Sequence, residues 1–337
     1  MKARYVFLAA ALLLAACDSQ KDQVGSTTPT PAPALTKITF NMSWLPQGSM
    51  AGVIVAIDKG FYREKNLDVD AVRGFGGIRT TNEIDQGMFD FGYADPVAVV
   101  LNRAKGGSTK LVGIINDSWP AGLCFLSDQR QIKVPADLKG LTIGGGQNSA
   151  VQAMLPPWLK RNGVAPAEVR ILQLNPSVIV ASLIEGKIDA AECWRGNSRP
   201  LFVREAAAAG HTVDWIEYRP YHLDIHGSGI VTTDRMVTEK PLVVRSFVEA
   251  TFRGYQFARD NPAEARAIMM KRYPQLDEVV TGEQIAEIVA LVYASATPGR
   301  VDAAKMQRTV DFIASAYSLD KRPAAGDIYS NDFLAAP

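Results

Sequence analysis

The sequence predicts an α/β protein made of two strand–helix units in series, followed by a mostly helical C-terminal stretch. Three observations predict it. Short β-rich runs alternate with helical stretches from Lys37 to about residue 121, and the alternation starts again over residues 122–225. The halves share a local plan: in "IDQGMFDFGYAD" and "LIEGKIDAAECW" apolar residues and an acid precede a glycine, and an aspartate stands three residues after it. The 337-residue length suits two domains better than one.

In chain order, "KITFNMS" reads as a strand, "GVIVAIDKGFYREKN" as a helix ended near Gly60, and "LDVDAV" as a strand. "IRTTNEIDQGM" is helical and "DFGYAD" is a short buried strand. "PVAVVLNRAKG" is a helix opened by Pro96 in its favoured first-turn position, and "STKLVGIIND" is a strand. This rhythm argues for a parallel sheet with helices on both faces. In the second unit the strands are "GLCFLSD", the run ending in "LTIGGG", "VRILQLN", "KIDAAEC" and "TVDWIEY". Its helices are "SAVQAMLPPWLKRNG", "PSVIVASLIEG" and "SRPLFVREAAAAG". Beyond "HGSGIVTTD" four helical stretches follow, over 241–260, 262–273, 282–296 and 302–318, punctuated by "NP" and "TPG".

The N-terminus stands apart from this fold. Lys2 and Arg4 precede the apolar run "VFLAAALLLAA", which has signal-peptide length and is too short to span a bilayer comfortably. It ends in "LAAC", which resembles a bacterial lipobox, so residues 1–16 read as a signal peptide and Cys17 as the lipidated first mature residue. Asp18 after it implies retention at the inner membrane, facing the periplasm. Residues 17–36 are rich in Ser, Thr, Pro and Gly and read as a flexible tether. Net charge is +1 with no basic stripe, which argues against a nucleic-acid partner. Cys124 and Cys193 lack metal-finger or CxxC spacing; they read either as a pair in an oxidising compartment or as two buried thiols.

Five stretches carry a resemblance: "SWLPQGSMAGVIVAIDKGFYREKNLDVD", "GMFDFGYADPVAVVLNRAKG", "ADLKGLTIGGG", "LIEGKIDA" and "HGSGIVTTDRMVTEKPLVVRSFVEATFRGYQFARDNPAEA". Together they resemble the periplasmic substrate-binding proteins of ABC importers, the group of sulfonate, taurine, nitrate, riboflavin and thiamine-pyrimidine-precursor binders. The resemblance implies a two-lobed periplasmic-binding-protein clamp with a two-strand hinge and C-terminal helices. Lobe one would comprise residues 37–121 plus 226–330 and lobe two residues 122–225, crossing near "SWPAGLCF" and "YHLDIHGSG". It further implies a monomeric receptor that closes on one solute and docks on a membrane permease with its ATPase, with no cofactor.

Candidate site residues sit where such a fold places ligand, beyond the carboxyl ends of strands. Trp44 offers a flat face and one N–H donor, Gln47 both donates and accepts, and Met50 opens the following helix. Each also reads as an ordinary packing or turn residue. Gly76 in "GFGGIRTT" and Asn148 with Ser149 after "TIGGG" open helices and can aim N–H groups at a ligand, while Asn148 or Ser149 also reads as an N-cap. Asp95 is either a cleft carboxylate or a cap of the Pro96 helix. Glu192 and Trp194 end the equivalent strand of the second unit, and Trp119 lies at the first crossing. His222, Asp224 and His226 would share one face if "YHLDIH" were a strand, but spacing of two spreads them and no metal is assigned.

Two tryptophans, amides and a carboxylate favour a small planar, heteroaromatic solute, with sulfonate, taurine or nitrate as the second reading. An enzymatic reading exists because thiamine-pyrimidine synthases resemble these binders. They and the related binders often read Trp-x-x-Asn-x-x-His in the opening loop, where this chain has Trp44, Gln47 and Met50. It also lacks a cysteine cluster, so the expectation is a non-catalytic receptor, and the Gln47 and Met50 departures weaken the pyrimidine-precursor reading too. A signalling lipoprotein is the third reading.

Overall fold

The computed structural model describes residues 34–334. The leader, Cys17 and nearly all of the tether lie outside the described residues. The first sheet is begun by β1 (Thr36–Asn41), β2 (Leu67–Val72), β3 (Phe91–Ala94) and β4 (Thr109–Ile114), linked by α1 (Ala51–Asp58), α2 (Gly77–Asp85) and α3 (Pro96–Ala104). The second contains β5 (Ala121–Leu126), β6 (Thr142–Gly146), β7 (Arg170–Leu174), β8 (Ala190–Trp194) and β9 (Val213–Glu217). Between its strands run α4 (Ala150–Arg161), α5 (Ile179–Ile184) and α6 (Ser198–Ala208). β10 (Gly229–Thr233) returns to the first sheet. Six helices follow: α7 (Asp234–Glu239), α8 (Pro241–Asp260), α9 (Pro262–Arg272), α10 (Glu278–Val292), α11 (Ala303–Ala316) and α12 (Ala325–Ile328).

The strand orders are β2-β1-β3-β10-β4 and β7-β6-β8-β5-β9, one plan used twice. Within each sheet β10 or β5 runs against the other four strands. The parallel sheet expected from the strand–helix rhythm is thus mixed in each half, with one antiparallel strand. A parallel neighbour needs a long crossover, usually a helix. β5 and β10 instead arrive straight from the segments that cross between the sheets, over residues 115–120 and 218–228.

Helix α8 supplies the core of the first sheet. Phe247 stacks on Phe91 at 4.2 Å and 3°, and on Phe40 and Tyr62 at 5.6 and 5.1 Å. It approaches α1 closely because two glycines meet: a Cβ on Gly254 would lie 1.9 Å from the Gly52 carbonyl. In the second sheet Cys124 on β5 and Cys193 on β8 form a disulfide with Cα atoms 5.3 Å apart, which decides between the two readings of these thiols.

The crossings are stitched together. Gly227 N–H donates to the Asn116 carbonyl and Trp119 N–H to that of Ile225, both at 2.9 Å. The strand expected over "YHLDIH" does not form: His222 adopts φ 65° and no ladder partner exists among the described residues. His226 is fully buried between the carbonyls of Asp117 and Asp302, whereas His222 and Asp224 are exposed. Among the described residues no group of three or more His, Cys, Asp or Glu is arranged to hold a metal ion, and no helix is long and apolar enough to cross a membrane.

Candidate functional site

A cavity of about 440 Å³ lies at the carboxyl ends of strands from both sheets. Its first wall is the loop after β1. Asn41 organises that loop: its Oδ1 accepts the Ser43 N–H at 2.8 Å and the Thr80 hydroxyl at 3.0 Å, and its Nδ2 donates to Glu83. Ser43 is thereby held at φ 68°. Gly74 and Gly76 donate their N–H groups to the carbonyls of Trp44 and Ser43 at 3.0 and 2.7 Å. Farther along, Gly48 N–H donates to Gln284 Oε1 at 2.7 Å and Tyr255 donates to the Ser49 carbonyl. The loop is fixed at both ends, so the Trp44 indole is presented in a set position.

The glycines of β6 face it. A Cβ on Gly146 would lie 2.4 Å from the Trp44 ring and 3.0 Å from Glu192 Oε1, and one on Gly145 would lie 3.1 Å from Glu192 Oε2. "TIGGG" is thus bare backbone against which an indole from the first sheet and a carboxylate from the second both lie. Glu192 Oε1 accepts the Gly146 N–H at 2.9 Å, while Oε2 is buried with no partner among the described residues. Burial pushes the Glu192 carboxyl up to about 7; the Ser149 hydroxyl and Gly146 N–H pull the other way, and the Asp95 charge adds to the rise.

Asp95 follows β3 and makes no side-chain cap to α3. Its Oδ1 accepts the indole N–H of Trp119 at 3.0 Å, which only partly opposes the burial that lifts its carboxyl to about 7. Asp95 and Glu192 are each 6% exposed. Among the described residues that line the cavity there is no lysine, arginine or histidine. Further buried polar atoms without partners belong to lining residues: Gln47 Nε2, Ser49 Oγ, Asn116 Nδ2, Trp194 Nε1 and Asn197 Oδ1. Such atoms are costly unless a bound molecule meets them. The rest of the wall is largely apolar, with Met42, Tyr93, Ile179, Phe202 and Leu291 among it.

Of the residues singled out in the sequence, Trp44, Gln47, Met50, Asp95, Ser149, Glu192 and Trp194 line this cavity together. Ser149 also caps α4 by accepting the Val151 N–H at 3.2 Å. Gly76, Trp119 and Asn148 are not among the lining residues. Gly76 has spent its N–H on Ser43 and packs against Asn148, where a Cβ would lie 2.5 Å from the carbonyl. Trp119 is fully buried and donates its indole N–H to Asp95. The Asn148 carbonyl accepts the Ile78 N–H at 3.2 Å, one of several contacts between the two halves. Others are Arg195–Glu287 at 2.9 Å, Arg204–Asp277 at 3.4 Å and Gln284 Nε2 to the Asn197 carbonyl at 2.6 Å.

Ser49, Asn116, Asn197 and Gln284 were not picked out from sequence. Asn116 carries a readable signal, an amide just past the end of β4. Gln284 carries none, because its importance comes from joining Gly48 to Asn197 across long separations.

A family profile described as NMT1/THI5 like matches residues 47–265. The chain belongs to this family. It is 23% identical over 337 residues to a formylaminopyrimidine-binding protein of Halalkalibacterium halodurans, spanning 96% of both chains. It is 24% identical over 340 residues to the riboflavin-binding protein RibY of Chloroflexus aurantiacus, spanning 96% of this chain and 95% of that one. Its fold is similar to that of the alkanesulfonate-binding protein SsuA from Xanthomonas axonopodis pv. citri bound to MOPS. There the TM-score is 0.69 and the identity 16%, over 89% of this chain and 99% of the other.

Proposed function

We propose that this family member is a solute receptor of an ABC importer and that its solute is a planar, amino-bearing heteroaromatic molecule of the aminopyrimidine kind. The two sheets would be the cores of two lobes, 37–121 plus 226–330 and 122–225, that close on the solute and hand it to a permease. The lipobox-like leader supports anchoring at the periplasmic face of the inner membrane.

One observation carries the solute class. The cavity pairs an indole wall with two buried carboxylates and contains no cationic lining residue among the described ones. A carboxylate with a free lone pair is an acceptor for N–H donors, and charge-assisted bonds of this kind are strong. An anion would meet Asp95 and Glu192 with nothing to neutralise it. The sulfonate or nitrate reading therefore has weaker support than the aminopyrimidine one, which agrees with the formylaminopyrimidine-binding relative. Met50 stands where related synthases, and often the related binders, carry histidine, so it counts against synthase chemistry without itself favouring the aminopyrimidine class.

Thermal shift and calorimetry with aminopyrimidines, riboflavin, alkanesulfonates, taurine and nitrate test this reading. A ligand at 100 times its Kd stabilises by about 2.7 kcal/mol, enough to move the melt by several degrees. Aminopyrimidines should do so; stabilisation by the anions alone would reverse the assignment.

A further inference from the structure

The two cavity carboxylates come from opposite sheets. Asp95 follows β3 of the first sheet and Glu192 lies in β8 of the second. Asp95 accepts the Trp119 indole N–H, and Glu192 accepts the Gly146 N–H with the Ser149 hydroxyl also near it. Any movement that separates the sheets separates the carboxylates and lets water reach them. Any movement that joins the sheets brings two like charges into one dry space.

We propose that Asp95 and Glu192 form an electrostatic gate: ionised together they keep the solute-free protein open, and a solute N–H group or a proton that neutralises either carboxylate permits closure. This rests on the clamp reading above. The gate gives closure a chemical condition, since apolar contact alone would let such a receptor close without cargo and occupy its transporter unproductively. It also gives the carboxylates a role distinct from affinity, because their repulsion acts before solute arrives.

Among the described residues no other group around them supplies the missing charge. Tyr93 and Tyr255 also line the cavity and Tyr218 acts on Glu192 from beyond β9, but burial lifts all three hydroxyls well above their ordinary range, so they stay neutral. Glu205 and Asp277 also line the cavity; both are acids, and Asp277 pairs with Arg204. Trp119, Gly77, Gly146 and Ser149, the close neighbours on the adjoining segments, are uncharged. His226 on the second crossing faces the Asp117 and Asp302 carbonyls instead. Burial lifts both carboxyls to about 7, so the proton-driven route would operate just below neutral pH.

Small-angle X-ray scattering on the solute-free mature chain at pH 5.5 and 8.5 tests the gate, with Asp95→Asn, Glu192→Gln and the double variant beside the wild type. The wild type should be extended at pH 8.5 and compact at pH 5.5. The double variant should be compact at both, as should the wild type at pH 8.5 once 4-amino-5-hydroxymethyl-2-methylpyrimidine is added as probe. A wild type that compacts with the probe but ignores pH overturns the gate alone. So does a pH response that survives unchanged in the double variant. No compaction in any sample, probe included, overturns the clamp reading and the gate with it.

Discussion

Replacing Glu192 with glutamine should raise stability and lower solute affinity at once. The Gln Oε1 can keep the Gly146 N–H bond now made at 2.9 Å, so the backbone of β6 is not disturbed. What changes is the other oxygen, buried and unpartnered, which becomes an N–H₂ group. Burial lifts this carboxyl from 4.5 to about 7. At ~1.4 kcal/mol for each pKa unit, ionising it above pH 8 costs the fold at most about 3.5 kcal/mol. The amide removes that cost but buries an unpaired donor worth ~1 kcal/mol, leaving a net gain of roughly 1–2 kcal/mol and a melt higher by roughly 2–5 °C. For the solute, loss of a charge-assisted bond worth about 1.5–3 kcal/mol predicts roughly 10–100-fold weaker binding, and easier closure brings this toward tenfold. Scanning fluorimetry and calorimetry at pH 8.5 with the aminopyrimidine probe read both quantities. A variant that melts lower and binds more weakly would mark Glu192 as a structural strut and refute the reasoning, as would undiminished affinity.

Trp44→Ala should weaken binding roughly 10–100-fold, the loss of one base-stacking surface, with little change in the melt; unchanged affinity by calorimetry would remove the indole from the site. Gly146→Ala puts a Cβ 2.4 Å from the Trp44 ring and 3.0 Å from Glu192 Oε1, so the protein should stay extended in scattering even with probe; normal compaction would show that the ring has room to yield. Cys124→Ala with Cys193→Ala opens a loop of 69-residue separation and should cost about 4 kcal/mol in urea unfolding; a midpoint equal to that of the oxidised wild type would contradict this. Because Asp95 and Glu192 bind protons more tightly folded than unfolded, their contribution to stability is fully present below their ordinary carboxyl range and is lost as pH rises from there through about 7. The melt of the wild type minus that of the doubly neutral variant should therefore fall across that window, a subtraction that cancels the opposite trend of buried His226; a flat difference would deny that the carboxyls are raised.

Much of the architecture was legible because each strand needed only a local pattern. Phe40, Phe91 and Val231 are apolar because they face a core, and Gly87 and Gly186 end their helices at φ 75° and 70° where the sequence marked a stop. The direction of β5 and β10 was not legible, since antiparallel insertion depends on where a crossing delivers the chain. "YHLDIH" misled for a related reason. Leu223 and Ile225 are buried and His222 and Asp224 exposed, which is the alternation of a strand, but among the described residues no neighbouring strand pairs with them. In the site, Trp44 and Glu192 were readable from their places at strand ends. The use of Gly145 and Gly146 was not: they admit side chains from Trp44, 102 residues earlier in the chain, and Glu192, 46 later than Gly146.

That use links specificity to movement. Trp44 belongs to the first sheet's loop and Gly146 to the second sheet, so the indole reaches Gly146 only when the halves meet. The same Gly146 donates to Glu192 Oε1 and so directs Oε2 as the free acceptor. The stacking wall and the hydrogen-bond acceptor are completed at one residue and in one motion. A ligand that only stacks leaves the carboxylates repelling each other, and a ligand that only neutralises them leaves the indole without a face to cover. A flat ring carrying an exocyclic amine meets both demands, whereas a tetrahedral sulfonate meets neither. On the proposed clamp, the selectivity of the site would lie in what closure requires as much as in the contacts made once it is closed.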